Sequence, residues 1–397
     1  MFPLSDAPNP SRTPIVTYAL IVVNVLVFLA FTLPLSGQQP SPGDPRVAAY
    51  VEALRESLPA NVPIQDAVAS LSVYDLFVFE HGFKPGAPQL GNLLTAMFLH
   101  AGFMHLFGNM LFLWIYGDNV EYRLGRLPYL LWYIVTGVAA TLAFSLLAPR
   151  SLIPMVGASG AISGVLGFYF IWFPSNVVRV LLLFFPFLVR VVEVPARIVL
   201  GLYLFIDNIL PMLVAGGAGG GGVAHGAHIG GFVAGVVVAW VLSRRDVEAT
   251  PPEYRAEAAG VSAPASLISQ AMRTGDMATA ARAYFALPPR QSIQALDDEQ
   301  SLALGRWLAE NGHGHAAVTV FLRHLQAHPV GPSAAEAHVG AGLTLLEHLD
   351  QPAAAYQHLR AALQQSPAPA VAAKARAGLA AIAARQKLPA LRFSAQG

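Results

Sequence analysis

The chain has 397 residues, of which 55% are hydrophobic and only 12% charged, with 24 Lys and Arg against 23 Asp and Glu. A mean hydropathy of +0.52 and a charge content far below the roughly 25% of a soluble domain exclude an ordinary water-soluble globule and indicate an integral membrane protein. A net charge of +1 argues against nucleic acid as a partner, and zero Cys excludes disulfides, a thiol nucleophile and Cys-ligated metal.

In chain order, Met1–Thr13 is short, polar and Pro-rich, and an apolar run over Pro14–Leu35 follows. About 20 apolar residues suffice to cross a bilayer, so this run is expected to be a first transmembrane helix. No small-residue cleavage site suits its end, which argues against a signal peptide. Ser36–Asn92 is a long connection with two amphipathic stretches, Arg46–Leu58 and Val73–Phe83. Further spans are expected at 93–116, 127–147, 157–173, 195–214 and 227–242, six in all. Arg12, Arg123, Arg126, Arg179, Arg190, Arg197, Arg244 and Arg245 fall on one side, which assigns that side and both termini to the cytoplasm. Val180–Val189, broken by Pro186, is too short to span and reads as an interfacial or re-entrant hairpin.

Beyond Trp240 the composition changes. Residues 244–264 read as a Pro/Ala/Glu linker, 265–386 as a soluble helical domain and 387–397 as a tail. Ala317, Phe321, Leu325 and Pro329 recur as Ala355, Leu359, Leu363 and Pro367, a shift of 38 residues, with Trp307 matching Leu345. Small and large apolar residues at helical spacing closed by Pro are what stacked helix pairs require. The segment resembles degenerate tetratricopeptide repeats, the alternative being an Ala-rich bundle without a repeat. The expected fold class is all-α: a six-helix membrane domain over 1–243, followed by this repeat domain.

Polar groups inside spans are expensive and therefore candidates for function. His100, His105 and Asn109 lie at the start of the second span, with His105 and Asn109 on one helix face. Ser159 opens the fourth span inside Gly-Ala-Ser-Gly, and His225 and His228 open the sixth. All these spans begin on the outer side, which brings His105, Asn109, Ser159 and His228 to similar depth. Gly160 and Gly164 on one helix and Gly231 and Gly235 on the other are small-xxx-small pairs that permit close approach. A nucleophilic Ser, a His base and side-chain donors for an oxyanion suit acyl transfer or peptide hydrolysis.

His-x4-His-x3-Asn, Gly-x-Ser-Gly and Ala-His-x-x-Gly across these spans resemble the rhomboid family of intramembrane serine proteases, and Glu121-Tyr-Arg-Leu-Gly resembles the family's Glu-x-Arg signature. The resemblance implies Ser159 as nucleophile, His228 as general base and then acid, and an oxyanion hole formed by His105, Asn109 and the Ser159 N–H. His100 would support the site, and no cofactor or metal is implied; from the residues themselves, His225 reads as a supporting helix-cap or water-contacting residue, the alternative being a second base, and Glu121 and Arg123 as a structural ion pair. The resemblance also implies transmembrane protein substrates cleaved in or near the bilayer. Gly91 and Asn92 stand where several members carry Trp-Arg. Ser163 stands where some place a Tyr against the catalytic His, so orientation of the base is expected to rest on other contacts. Asp207 in the fifth span is expected to be an interfacial carboxylate or a helix–helix hydrogen bond, the alternative being a third catalytic member. Competing functions are an inactive rhomboid-like binding protein, a proton-coupled transporter, and a metalloprotease ligated by His100, His105, His225 and His228. A cytoplasmic protein or peptide is the expected partner of 265–386.

Overall fold

The computed structural model describes residues 2–10, 12–57, 68–184, 188–214, 225–254 and 265–385. Two compact units result. One holds Met1–Ser5, Arg12–Trp172 and Val178–Ala239, the other Asp6–Ser11, Phe173–Val177 and Trp240–Gly397.

The chain opens on a strand, β1 (Phe2–Ala7), and a long apolar helix, α1 (Ile15–Ser36). The two amphipathic stretches of the long connection form α2 (Pro45–Ser57) and α3 (Val73–His81). Ser72 starts α3 with a capping box: its hydroxyl accepts from the Asp75 N–H and the Asp75 carboxylate accepts from the Ser72 N–H. Then come α4 (Asn92–Phe98), α5 (Phe103–Leu124), α6 (Arg126–Leu147), α7 (Ser159–Trp172), strands β2 (Val177–Phe184) and β3 (Leu188–Pro195), α8 (Ala196–Val214) and α9 (His225–Glu248).

Among the described residues four helices, α1, α6, α8 and α9, are long and apolar enough to cross a membrane; α4 and α5, bent by 94°, make a fifth if taken as one span. This corrects the expectation of six full spans. The second expected span breaks at Gly102, whose backbone is extended, and the helix resumes at Phe103 and runs to Leu124. The fourth, α7, has 14 residues. At 1.5 Å per residue that is about 21 Å, short of the roughly 30 Å hydrocarbon core. Gly125 alone, at φ +82°, ends α5 and lets α6 turn back.

The all-α expectation is also corrected. β1, β2 and β3 form a three-stranded sheet in that order. The polar N-terminal stretch supplies β1, and the expected re-entrant segment supplies parts of the neighbouring strands β2 and β3, with residues 185–187, including Pro186, outside the described residues. Val-rich runs such as Val177–Phe184, at eight residues, are the length and composition of strands, and pairing satisfies backbone groups that a short apolar loop would leave open.

The helices that matter for the site meet through glycine. A Cβ on Gly231 would strike the carbonyl oxygen of Gly160, and one on Gly235 the carbonyl oxygen of Gly164, so α7 and α9 touch backbone to backbone. At the other end of the same pair Trp172 Nε1 donates to the Ala239 carbonyl at 3.2 Å. Glu121, expected as an ion-pair partner of Arg123, is committed to α1. It accepts from the N–H groups of Val16 (2.9 Å) and Thr17 (2.7 Å) and from the Thr17 hydroxyl (2.8 Å), capping the free donors of the first turn. Arg123 stacks on Trp172, with 4.3 Å from guanidinium to ring centroid.

The second unit is a run of short helices at Ala265–Thr274, Met277–Ala286, Asp298–Glu310, Gly314–Ala327, Pro332–Glu347, Pro352–Gln364 and Pro369–Arg385. The repeated positions Ala317, Phe321, Ala355 and Leu359 are all buried, and Leu325 and Leu363 pack against the same cores. Within this unit Gln357 accepts from the Ser175 N–H at 3.0 Å and donates to Asn176 Oδ1 at 2.6 Å, while Asn176 donates to the Pro8 carbonyl at 3.3 Å. Residues 255–264 of the expected linker and the tail 387–397 lie outside the described residues.

Candidate active site

Ser159 is the first residue of α7, where backbone N–H groups have no intrahelical partner and the helix dipole is positive. Its approach is set by Gly157 at φ +125°, a conformation that favours glycine. A Cβ there would lie 2.8 Å from both Cε1 and Nε2 of His105 and 3.6 Å from Ser159 Oγ. The His105 ring and the Ser159 hydroxyl therefore border the same glycine. The Gly157 N–H donates to the Ala96 carbonyl at 2.8 Å, and Phe83 and Met155 exchange two backbone hydrogen bonds of 3.1 and 2.8 Å, which holds the segment leading into Ser159.

His228 sits one turn into α9. Its Nε2 is 2.7 Å from Ser159 Oγ and its Nδ1 is 2.7 Å from Oδ1 of Asn208. The glycine contacts described above bring the two rows of side chains into this register: Gly160 follows Ser159, and Gly231 lies one turn after His228. Ser159 and His228 are both half-buried, so the pair is reachable.

Among the other residues singled out from sequence, Asn109 lies one turn beyond His105 on α5 and is buried, with 8% of its surface exposed. Among the described residues its Nδ2 has no hydrogen-bond partner. A buried amide donor left open costs free energy unless something accepts from it, and a developing oxyanion would do so. His100 is fully buried, its ring edge-on to His105 at 5.2 Å. Tyr74 of α3 grips the His100 backbone, donating to its carbonyl at 2.8 Å and accepting from its N–H at 3.2 Å. Asn92, at one of the two positions where Trp-Arg was missing, is buried. Its Nδ2 donates to the carbonyls of Glu80 and Gly82, both at 2.9 Å, so the long connection is anchored by hydrogen bonds. His225 is the first residue of α9, and the pair forms without it.

Asn208 was not singled out from sequence. Its neighbour Asp207 was weighed as a third catalytic member, but Asp207 is exposed whereas Asn208 is fully buried. The five residues Phe205–Ile209 form a π-turn within α8. The extra residue in that turn shifts the helical register, so ordinary spacing does not say which of two adjacent polar residues faces inward. An Asp-Asn pair in an apolar span was the available signal, and it marked the place without choosing the residue.

Residues 87–245 match the Rhomboid domain model. The chain carries a rhomboid domain. It is 35% identical over 161 residues to Rhomboid-like protein 11, chloroplastic, of Arabidopsis thaliana, covering 40% of this chain and 54% of that protein. It is 31% identical over 159 residues to Rhomboid protein 1, mitochondrial, of Saccharomyces cerevisiae, covering 38% and 42%. A shorter match, 43% identical over 75 residues, is to Rhomboid protease GluP of Bacillus subtilis, covering 19% of this chain and 14% of that protein. The chain thus spans about half the length of the first two relatives, 54% and 42%. The matched rhomboid domain contains Asn92 to His228, all the side chains of the candidate site apart from Tyr74 of the long connection.

Proposed function

We propose that this protein is an intramembrane serine endopeptidase that cleaves membrane-anchored proteins in or near their transmembrane segments, with Ser159 and His228 as the reacting pair. The observation that carries this reading is the 2.7 Å contact between Ser159 Oγ and His228 Nε2 at the head of a short apolar helix.

In the proposed reaction Oγ attacks the scissile carbonyl carbon while its proton passes to Nε2. The carbonyl electrons move onto oxygen, held by the Ser159 N–H, Asn109 and His105. Collapse expels the amine, which takes the proton from Nε2, and leaves an acyl ester on Ser159. Water then gives a proton to Nε2, attacks the ester carbon and releases the acid as Oγ is reprotonated. Because α7 is about 9 Å shorter than the hydrocarbon core, Ser159 is reached below the membrane surface when the other end of α7 lies at the opposite interface.

His100 supports His105 by packing, and His225 is a candidate supporting residue at the head of α9. The region 265–386 is proposed as a tetratricopeptide-like module for a cytoplasmic protein or peptide. Both termini are assigned to the cytoplasm. The richness in Gly, Ala and Pro leads us to a bacterial inner membrane. The rival readings are less well supported. An inactive rhomboid-like protein has no need of a bonded Ser and His. For a metalloprotease, among the described residues no three His, Cys, Asp or Glu side chains converge on one point.

Ser159→Ala and His228→Ala should each abolish cleavage of a single-span substrate and labelling by a fluorophosphonate, while elution in detergent stays that of the parent chain. Proteolysis that survives either change would end this reading.

A further inference from the structure

Asn208 gives the hydrogen-bond chain a direction. Its Nδ2 donates to the Tyr203 carbonyl at 3.1 Å, one helical turn earlier in α8. A carbonyl accepts only, so the amide must present its oxygen, not its nitrogen, to His228. Oδ1 also accepts only, so the contact at 2.7 Å requires a proton on His228 Nδ1. A neutral imidazole with its proton on Nδ1 has its lone pair on Nε2, the atom 2.7 Å from Ser159 Oγ. The polarity runs Ser159 hydroxyl to His228 to Asn208 to the Tyr203 backbone.

The local fold is built around this contact. Asn208 is fully buried while Asp207 beside it is exposed, and the π-turn Phe205–Ile209 is what turns the amide inward. A carboxylate in the same place would bring a charge into an apolar helix bundle, tolerated there only through pairing with the His228 ring 2.7 Å away. An amide supplies the acceptor without the charge, and its second group is tied to the backbone so that it does not flip.

We propose that Asn208 is a positioning residue for His228, holding the Nδ1 proton so that Nε2 is the base toward Ser159 and stabilising the imidazolium that forms when Nε2 takes the Ser159 proton. This rests on the reading of Ser159 and His228 as a hydrolytic pair. It adds a third, uncharged member on α8, the span that also carries Asp207.

Two measurements on the full chain in detergent test it. The first is the nitrogen-15 spectrum of histidine-labelled protein, with the His228 signals assigned by their loss in His228→Gln. Protonated Nδ1 and bare Nε2 at neutral pH is the expected result. The reverse tautomer overturns the proposal, whether or not the protein cleaves anything. The second is the rate of fluorophosphonate labelling and of substrate cleavage in Asn208→Leu and Asn208→Asp. Misorienting the base in a serine protease costs up to about 10⁴-fold in kcat. Asn208→Leu is therefore expected to lose about 10² to 10⁴-fold in kcat with KM nearly unchanged. Asn208→Asp, which keeps an oxygen toward Nδ1, is expected to recover a large part of that loss. Asn208→Leu that labels as fast as the parent chain overturns the proposal, as does a loss that falls on KM or that Asn208→Asp does not relieve. If the parent chain itself neither labels nor cleaves, it is the hydrolase reading that falls, and the tautomer still decides whether Asn208 orients His228.

Discussion

At the scale of single residues, the candidate site holds both groups that already have partners and buried groups that, among the described residues, have none. Ser159, His228 and Asn208 satisfy one another. Asn109 holds a buried Nδ2 without a partner among the described residues. In the proposed mechanism that donor is reserved for the oxyanion, so its contribution comes in the transition state and little of it in substrate binding. Asn109→Ala should lower kcat by about two to three orders of magnitude, as loss of one such donor does elsewhere, with a small change in KM. The measurement is steady-state cleavage of a fluorogenic transmembrane peptide in detergent. Turnover equal to that of the parent chain would make Asn109 a packing residue. The residue types of the pair, their order and their common depth were legible in the chain, because a Ser between glycines and a His two residues before a Gly-Gly pair stand out against apolar surroundings. Asn208 was not, because an Asn beside an Asp becomes distinguishable only when the turn that carries both has its register.

At the scale of elements, the dyad distance is a property of how closely α7 and α9 pack. Gly160 and Gly231 stand next to and one turn after the two reacting residues, and their contact leaves no room for a side chain at Gly231. Gly231→Val must push the helices apart, and a misplacement of about 1 Å at a reacting pair can cost 10²-fold in rate. We expect labelling of Ser159 by a fluorophosphonate to slow at least about 10²-fold on that basis, with helical content by circular dichroism retained. Gly201→Ala in α8, where a Cβ meets nothing within 4 Å, should leave labelling intact. Equal rates in both variants would show that backbone contact does not set the site. The small residues on both faces were visible in sequence, so this pairing was anticipated. The segment that carries β2 and β3 was foreseen as too short to span but not as strands, since a short apolar run does not by itself choose between helix and strand. β1 came from a stretch with no periodicity and is fixed by the strand beside it.

At the scale of the molecule, the rhomboid domain matches residues 87–245, and the helical region begins at Ala265. Ser159, His228 and Asn208, which bond one another, all belong to the first unit. A chain ending after Glu248 should therefore still cleave a generic single-span substrate in detergent, with kcat/KM within a few-fold of the full chain, and should lose recruitment or selectivity only in cells. A truncated chain that is well folded yet dead would mean that the loop Phe173–Val177, which Gln357 holds inside the second unit, has to be fixed for turnover.

Composition and spacing by themselves determined that this chain lives in a membrane, that its candidate site residues stand at the heads of apolar segments, and that a helical region of repeated small and large apolar positions follows. Those properties are additive along the chain: hydropathy sums over a window, and periodicity assigns a face. Tertiary structure alone decided that the second span bends at Gly102, that α7 stops short of a full crossing, that Glu121 caps α1, and that Asn208 rather than Asp207 meets the histidine. Each of these depends on which group a distant part of the chain presents, and hydrogen-bond satisfaction between segments is a property of the folded whole.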